Sequence, residues 1–295
     1  MSQYQLKYGK ATATVNSIGG ELASYKAANG REYIWGGDPA VWASHSPVLF
    51  PVVGTTIDSK VKIDGKEYEI KKHGFTRKLE FQLGKHGEDF VEYTLSSNPE
   101  LKKQYPFDFT LHVTHTICEK GFQTVFLVEN KSNKRMPMCI GGHPGFNCPI
   151  YDGESFEDYE LKFECVEHTE NTLAPNGGCI TGTEWLPEFT DTDTLHLKHS
   201  LFDPRDALIF AAPKSRVVKL INSKTGKGME FDFHKFDALG VWSAPNKNAP
   251  YVCLEPWCGL PAYHDETGNF EDKPYVRILE PGTSFKVGYS MTVID

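Results

Sequence analysis

Three short stretches of the chain hold titratable side chains in frames that would aim them. In Cys139-Ile140-Gly141-Gly142-His143-Pro144-Gly145-Phe146 a histidine stands among glycines, and the proline after it keeps His143 out of the helical region. The glycines open positive φ and close ligand approach to the backbone and put no bulky neighbour beside the ring. In Cys253-Leu254-Glu255-Pro256-Trp257-Cys258-Gly259, Glu255 is likewise fixed before a proline, inside an apolar run. Glutamate is almost never fully buried alone, so this one either pairs with a structural cation or works as a base of adjusted pKa. His73-Gly74-Phe75 is the third stretch. Two histidines and one carboxylate in turn-like frames predict a single acid/base site, because imidazole exchanges protons near neutrality and a carboxylate can take one from a hydroxyl.

Other chemistries fit less well. Two histidines with a carboxylate also resemble a facial metal triad, but the marked residues contain no HxH pair and no cysteine at zinc spacing, so no metal is expected. There is no GxSxG elbow and no glycine-rich phosphate loop. The remaining histidines, among them His112, His115, His196 and His199, are assigned structural or surface roles. Seven cysteines, an odd number without a CxxC pair, read as reduced thiols in mostly apolar runs, and a cytoplasmic protein is expected. The net charge of −8, with no basic run, argues against nucleic acid and for a neutral small molecule. The first residues lack an apolar leader and nothing later approaches a membrane span, so no membrane role is expected.

The elements that must position these residues are strands. Period-two alternation dominates, over 7–18, 87–95, 109–117, 122–128 and 285–293. Asn29-Gly30, Asp64-Gly65, Asn176-Gly177-Gly178, Gly226-Lys227-Gly228 and Pro281-Gly282 supply turns. Asp64-Gly65 between Val61-Lys62-Ile63 and Glu67-Tyr68-Glu69-Ile70 predicts a two-residue hairpin. Helix is confined to a turn or two over 98–104, with Asn98 as cap. Without linker, repeat or low-complexity tract, residues 1–295 are expected to form a single domain of antiparallel sheets packed face to face. The loop Trp42 to Pro51 combines rings and polar groups as a sugar cleft requires, and Phe50 is taken from it as a candidate contact.

Four stretches together carry a family resemblance: His73-Gly74-Phe75-Thr76-Arg77, Tyr105-Pro106-Phe107-Asp108-Phe109, Gly141 to Phe146, and Leu254 to Gly259. With the strands around them, from about Val15 to Val293, the sequence resembles the aldose 1-epimerase (galactose mutarotase) family, and within it the LacX-like subgroup. The resemblance implies an all-β supersandwich, an open sugar-binding cleft and no cofactor. By motif, His143 looks like the general acid, Glu255 like the general base and His73 like a second histidine facing an oxygen. Asp206, in Asp206-Ala207-Leu208-Ile209-Phe210, is the candidate for the family's substrate-binding aspartate, and Trp257 for a cleft wall. The better-known members have an arginine where this chain reads Gly54-Thr55-Thr56-Ile57-Asp58, and Arg77 is the expected replacement.

Three activities fit the resemblance: anomerisation of a free hexose, the same chemistry on a hexose 6-phosphate, and sugar binding without catalysis. The second needs cations near the cleft, with Lys60, Lys71, Lys72 and Arg77 as candidates. The partner in each case is a small-molecule sugar, and the chain is expected to act as a monomer or homodimer.

Overall fold

The computed structural model describes residues 2–295. Two large antiparallel sheets dominate, with no α-helix among the described residues and only short 3-10 turns between strands. The nine-stranded sheet runs, in spatial order, Thr192–His196, Tyr159–Glu167, Val217–Asn222, Gly228–Asp232, Ser284–Ile294, Gly121–Asn130, Phe109–Cys118, Phe90–Ser96 and Gln82–His86. Its alternation is visible in Phe109–Cys118, where Phe109, Leu111, Val113, His115 and Ile117 are buried and the residues between them are not. One-sided burial of this kind is what makes a strand pattern legible.

The eight-stranded sheet is ordered Gly182–Glu184, Asn171–Leu173, Ala207–Ala211, Ala238–Trp242, Tyr251–Cys258, Ile140–Gly142 and Val48–Leu49, with Gly145–Asn147 also paired to Tyr251–Cys258. The two sheets meet through aromatic side chains. Phe146 lies 6.4 Å from Phe122 and 5.6 Å from Phe231, and Phe163 lies 6.0 Å from Phe210, centroid to centroid. Each such ring, fully buried, contributes about 1.5–3 kcal/mol, and together they hold the sheets face to face.

Local expectations mostly survive. Asp64 and Gly65 have φ of 51° and 74° and join Lys60–Ile63 to Lys66–Glu69, as a two-residue hairpin requires. Asn98 caps the turn Leu101–Lys103 by accepting the Leu101 N–H at 2.9 Å. The stretch 7–18 is not one strand. Gly9 turns at φ 57°, and Gln3–Tyr8 folds back on Ala11–Asn16. Glu255 is not in a turn either, because Tyr251–Cys258 is a continuous central strand, buried throughout, that carries Pro256 within it.

Candidate active site

The register of one strand pair brings the acid/base residues together. Ile140–Gly142 pairs with the central strand through Gly141 opposite Trp257, and Gly145–Asn147 pairs through Gly145 opposite Cys253. Both pairings keep one register, so His143, in the break between them, falls opposite Glu255. Pro144 has no N–H to continue the ladder, and the break lets the ring leave the sheet plane. His143 Nε2 lies 3.2 Å from Glu255 Oε2, although Oε2 has no aligned hydrogen-bond donor.

The glycines around His143 serve packing. None of Gly141, Gly142 and Gly145 has positive φ, and each faces a large ring. A Cβ at Gly141 would stand 2.8 Å from the Trp257 ring, one at Gly142 2.7 Å from Tyr289, and one at Gly145 2.9 Å from Trp42. The expectation that these glycines clear a path for ligand is therefore corrected: they make room for aromatic side chains. Gly240, across the ladder from Glu255, does the same for the far edge of Trp257, at 2.8 Å.

The loop before Val48 completes one wall. The Trp42 ring lies 5.0 Å from His143, tilted 31°, and Trp242 meets His143 edge-on at 5.5 Å. The loop is held on both sides. Ser46 Oγ donates to the Leu22 carbonyl, while His143 N–H donates to Pro47 and Gly145 N–H to His45, at 3.0 and 2.8 Å. Phe50, from the same loop, is not at the cleft. It is fully buried against Phe75, Tyr105 and Phe109, and its carbonyl takes the Phe75 N–H, so it supports the turn carrying His73. Phe50 points into the core, and Trp42 supplies the aromatic wall instead.

His73 sits at φ 65°, 5.7 Å from the His143 ring. The next residue must be glycine, since a Cβ at Gly74 would lie 1.9 Å from the Phe50 carbonyl oxygen. Asp206 has φ 67°, and its Oδ1 accepts the Trp242 indole N–H at 3.0 Å. Arg77 donates to the Lys72 carbonyl at 3.4 Å. Gly54-Thr55-Thr56-Ile57-Asp58 offers the cleft only Gly54, and Arg77 is the guanidinium found there. The open cleft, about 790 Å³ with the solvent at its mouth, is thus lined by His143, Glu255, His73, Arg77, Asp206 and Trp257 together. Sequence reading marked the loop that begins at Trp42 but took Phe50 from it, and it did not single out Trp242 or Gly177 for the cleft, because an indole in an apolar stretch looks like core and a glycine turn looks like a connector.

Burial sets the protonation states. Desolvation pushes the His143 pKa down to about 3, with the Lys72 and Arg77 charges adding to it. Desolvation raises Glu255 well above the usual carboxylate range; Asp206 adds to this and Lys72 opposes it. His73 is held well below 6.5, first by burial and then by the neighbouring His143 ring and the charges of Lys72 and Arg77. In the empty cleft burial therefore disfavours charge on both the imidazole and the carboxyl group. Cys253, two residues before Glu255 on the same strand face, adds a buried thiol within 4.8 Å of the other two ligand-capable atoms, a neighbour that sequence spacing did not show.

The aldose 1-epimerase family profile matches residues 2–292. The chain belongs to the aldose 1-epimerase family. Within reach of it is the plasmid-borne protein LacX of Lactococcus lactis subsp. lactis, 36% identical over 99% of both chains. Among solved structures, a galactose mutarotase related enzyme from Lactobacillus acidophilus is 30% identical, with a TM-score of 0.90 over 100% of this chain and 98% of that one. A galactose mutarotase-like protein from Lactobacillus casei is 28% identical, with a TM-score of 0.92 over 99% and 100%. Family membership agrees with an isomerase-type enzyme acting on a sugar and with the all-β supersandwich expected of it. No helix among the described residues is long and apolar enough to cross a membrane.

Proposed function

We propose that the protein interconverts the α and β anomers of a hexose by opening and reclosing the sugar ring between His143 and Glu255. The observation that carries this reading is the 3.2 Å approach of His143 Nε2 to Glu255 Oε2 at the floor of an aromatic-walled cleft. Glu255 takes the proton from the C1 hydroxyl while His143 gives one to the ring oxygen. The C1–O5 bond breaks, leaving an aldehyde at C1 and a hydroxyl at C5. Rotation about C1–C2 presents the other face, and reclosure returns both protons to the groups that supplied them. Each proton transfer is worth about 10²–10⁴ in rate. His73 steadies the developing charge on oxygen, Asp206 accepts from sugar hydroxyls, and the Trp42, Trp242 and Trp257 rings cover C–H faces.

A cleft that disfavours charge on both groups is compatible with this cycle. Imidazole plus carboxylic acid carries the same number of protons as imidazolium plus carboxylate. Sugar hydroxyls that donate to the carboxylate favour moving the proton to His143, which is the form that starts the reaction. A sugar-binding module without catalysis needs the aromatic walls but not a buried acid facing a buried base. The test is polarimetry of freshly dissolved hexose with the protein and with Glu255→Gln. Gln keeps the size of the side chain and cannot take a proton, so the expected loss is about 10² or more in rate with sugar binding retained. Near-normal turnover in the variant clears Glu255 of the role.

A further inference from the structure

Trp257 carries a polar atom that a cleft wall does not need. Its side chain is buried, and its indole Nε1, buried with it, has no acceptor aligned to it. An indole N–H is a donor only, and leaving it unmade in an apolar setting costs free energy. Glu255 Oε2 lies buried in the same cleft with no donor aligned to it. These two orphans belong to residues two apart in the central strand, and so to one face of the sheet. A buried donor and a buried acceptor left over side by side need one explanation.

Two glycines fix which way the indole is turned. Gly141 pairs with Trp257 from one neighbouring strand, and Gly240 pairs with Glu255 from the other. A Cβ at Gly141 would meet the indole Cδ1 at 2.8 Å. One at Gly240 would meet Cζ2 at 2.8 Å and the Glu255 Cβ at 3.2 Å. Nε1 lies on the ring edge between Cδ1 and Cζ2. That edge therefore crosses the central strand from the partner of Trp257 to the partner of Glu255, which turns Nε1 toward the carboxyl group. Bare backbone on both sides admits the ring in this orientation.

The other groups facing Glu255 leave this place open. His143 Nε2 stands at Oε2, Cys253 is a buried thiol on the same strand, and Lys72 and Asp206 act on the carboxyl as charges. His73 and Arg77 line the cleft beyond them. Burial raises the Glu255 pKa most, Lys72 lowers it, Asp206 raises it, and the Trp257 N–H lowers it as a donor to the ionised form does.

We propose that Trp257 is a positioning residue for the base: its indole N–H donates to the Glu255 carboxylate in the competent state and holds it ionised and aimed while His143 carries the shared proton. A hydrogen bond to a carboxylate is stronger than one to a carboxylic acid, so the bond favours the form of the pair that begins ring opening. Trp257 thus does more than cover a C–H face of the sugar.

The proposal rests on the anomerase reading for its rate assay but not for its spectroscopic one, so the two fail separately. Trp257→Phe keeps an aromatic ring between Gly141 and Gly240 and removes the N–H. Expected is a kcat lower by about tenfold or more, the size of one hydrogen bond to a charged group, with KM for the sugar little changed. The alkaline limit of kcat/KM moves to higher pH, because Glu255 has lost a group that lowers its pKa. By NMR of isotopically labelled wild type, one of the five indole N–H signals, the one missing from Trp257→Phe, shifts as Glu255 ionises and stays still over the same range in Glu255→Gln. If Trp257→Phe does not fold, Phe variants of Trp35, Trp42, Trp185 and Trp242 assign the signal by elimination. A raised KM with unchanged kcat and alkaline limit makes Trp257 a sugar-contacting wall and overturns the proposal. So does an indole signal that fails to titrate in wild type, or titrates equally in Glu255→Gln. A titrating signal in a protein without anomerase activity leaves the hydrogen bond standing and removes the catalytic reading.

Discussion

Gly54 and His73 exchange two hydrogen bonds: His73 N–H donates to the Gly54 carbonyl at 2.8 Å, and Gly54 N–H donates to His73 Nδ1 at 3.1 Å. An Nδ1 that accepts leaves the proton of the neutral ring on Nε2. Burial keeps the ring neutral, so His73 is a fixed donor rather than a second base. Asn at this position tolerates the positive φ and can offer an oxygen to Gly54, but it ends short of Nε2. His73→Asn is expected to keep its fold and lose about 10²–10³ in kcat, the effect of removing one donor to a developing oxyanion. Full kcat in a folded variant would show that His73 only supports the turn.

The trio His143, Cys253 and Glu255 is also the arrangement in which a metal ion would have to sit. Burial pushes both the Cys253 thiol and the Glu255 carboxyl well above their usual pKa, so a cation would have to compete with protons in a desolvated cluster. Anomerisation is expected to survive exhaustive chelation unchanged. Activity lost to chelator and restored by a divalent ion would turn the trio into a metal centre.

The strands were legible because half-buried antiparallel strands write their faces into the sequence, as in Phe109–Cys118, and because Asp64-Gly65 is a turn whose chemistry is entirely local. The central strand Tyr251–Cys258 was harder. Buried on both faces it shows no alternation, and Pro256 argues for a turn until Leu239 is seen opposite it. The glycines beside His143 were read for the right place and the wrong reason. Local sequence cannot say that Trp257, Tyr289 and Trp42 arrive from other parts of the chain to fill the space they leave. Phe50 and Trp42 differ in the same way: both are aromatic and eight residues apart in one loop, and only packing decides which ring is spent on the core.

His115, outside the cleft, makes the fold sensitive to acid. It is fully buried in Phe109–Cys118, with Nε2 donating to the Gly20 carbonyl at 2.8 Å and Nδ1 accepting from the Thr124 hydroxyl at 3.0 Å. Burial lowers its pKa from 6.5 to about 4. The unfolded chain therefore binds the proton first as pH falls, so stability is full above the unfolded value and declines down to the folded one. At about 1.4 kcal/mol per pKa unit, this one histidine costs roughly 3 kcal/mol by pH 4. Denaturant unfolding followed across that window is expected to show the decline, less steep by up to one proton in His115→Asn. Identical slopes in the two proteins would remove His115 from the account.

The pH–rate profile tests the pair on which the catalytic reading depends. His143 and Glu255 share one proton in the competent state, wherever it rests, so the limits of activity belong to the pair. On the acid side, activity ends when a second proton arrives, and the lowered His143 pKa of about 3 puts that limit far down. On the alkaline side, activity ends when the single proton leaves, and the raised Glu255 pKa puts that limit well above a normal carboxylate. The expected profile for kcat/KM is a broad plateau closed by an alkaline limb of one proton, with any acid loss following unfolding. In His143→Asn the acid is gone and Glu255 remains a base that works only when ionised. Its rate should fall by about 10²–10⁴, and the residual rate should rise with pH where wild type declines. Melting temperature measured on the same sample separates this from damage to the fold. A destabilised variant with a wild-type profile would make His143 a structural residue, whereas an inverted profile at unchanged melting temperature is what an acid facing its base must give.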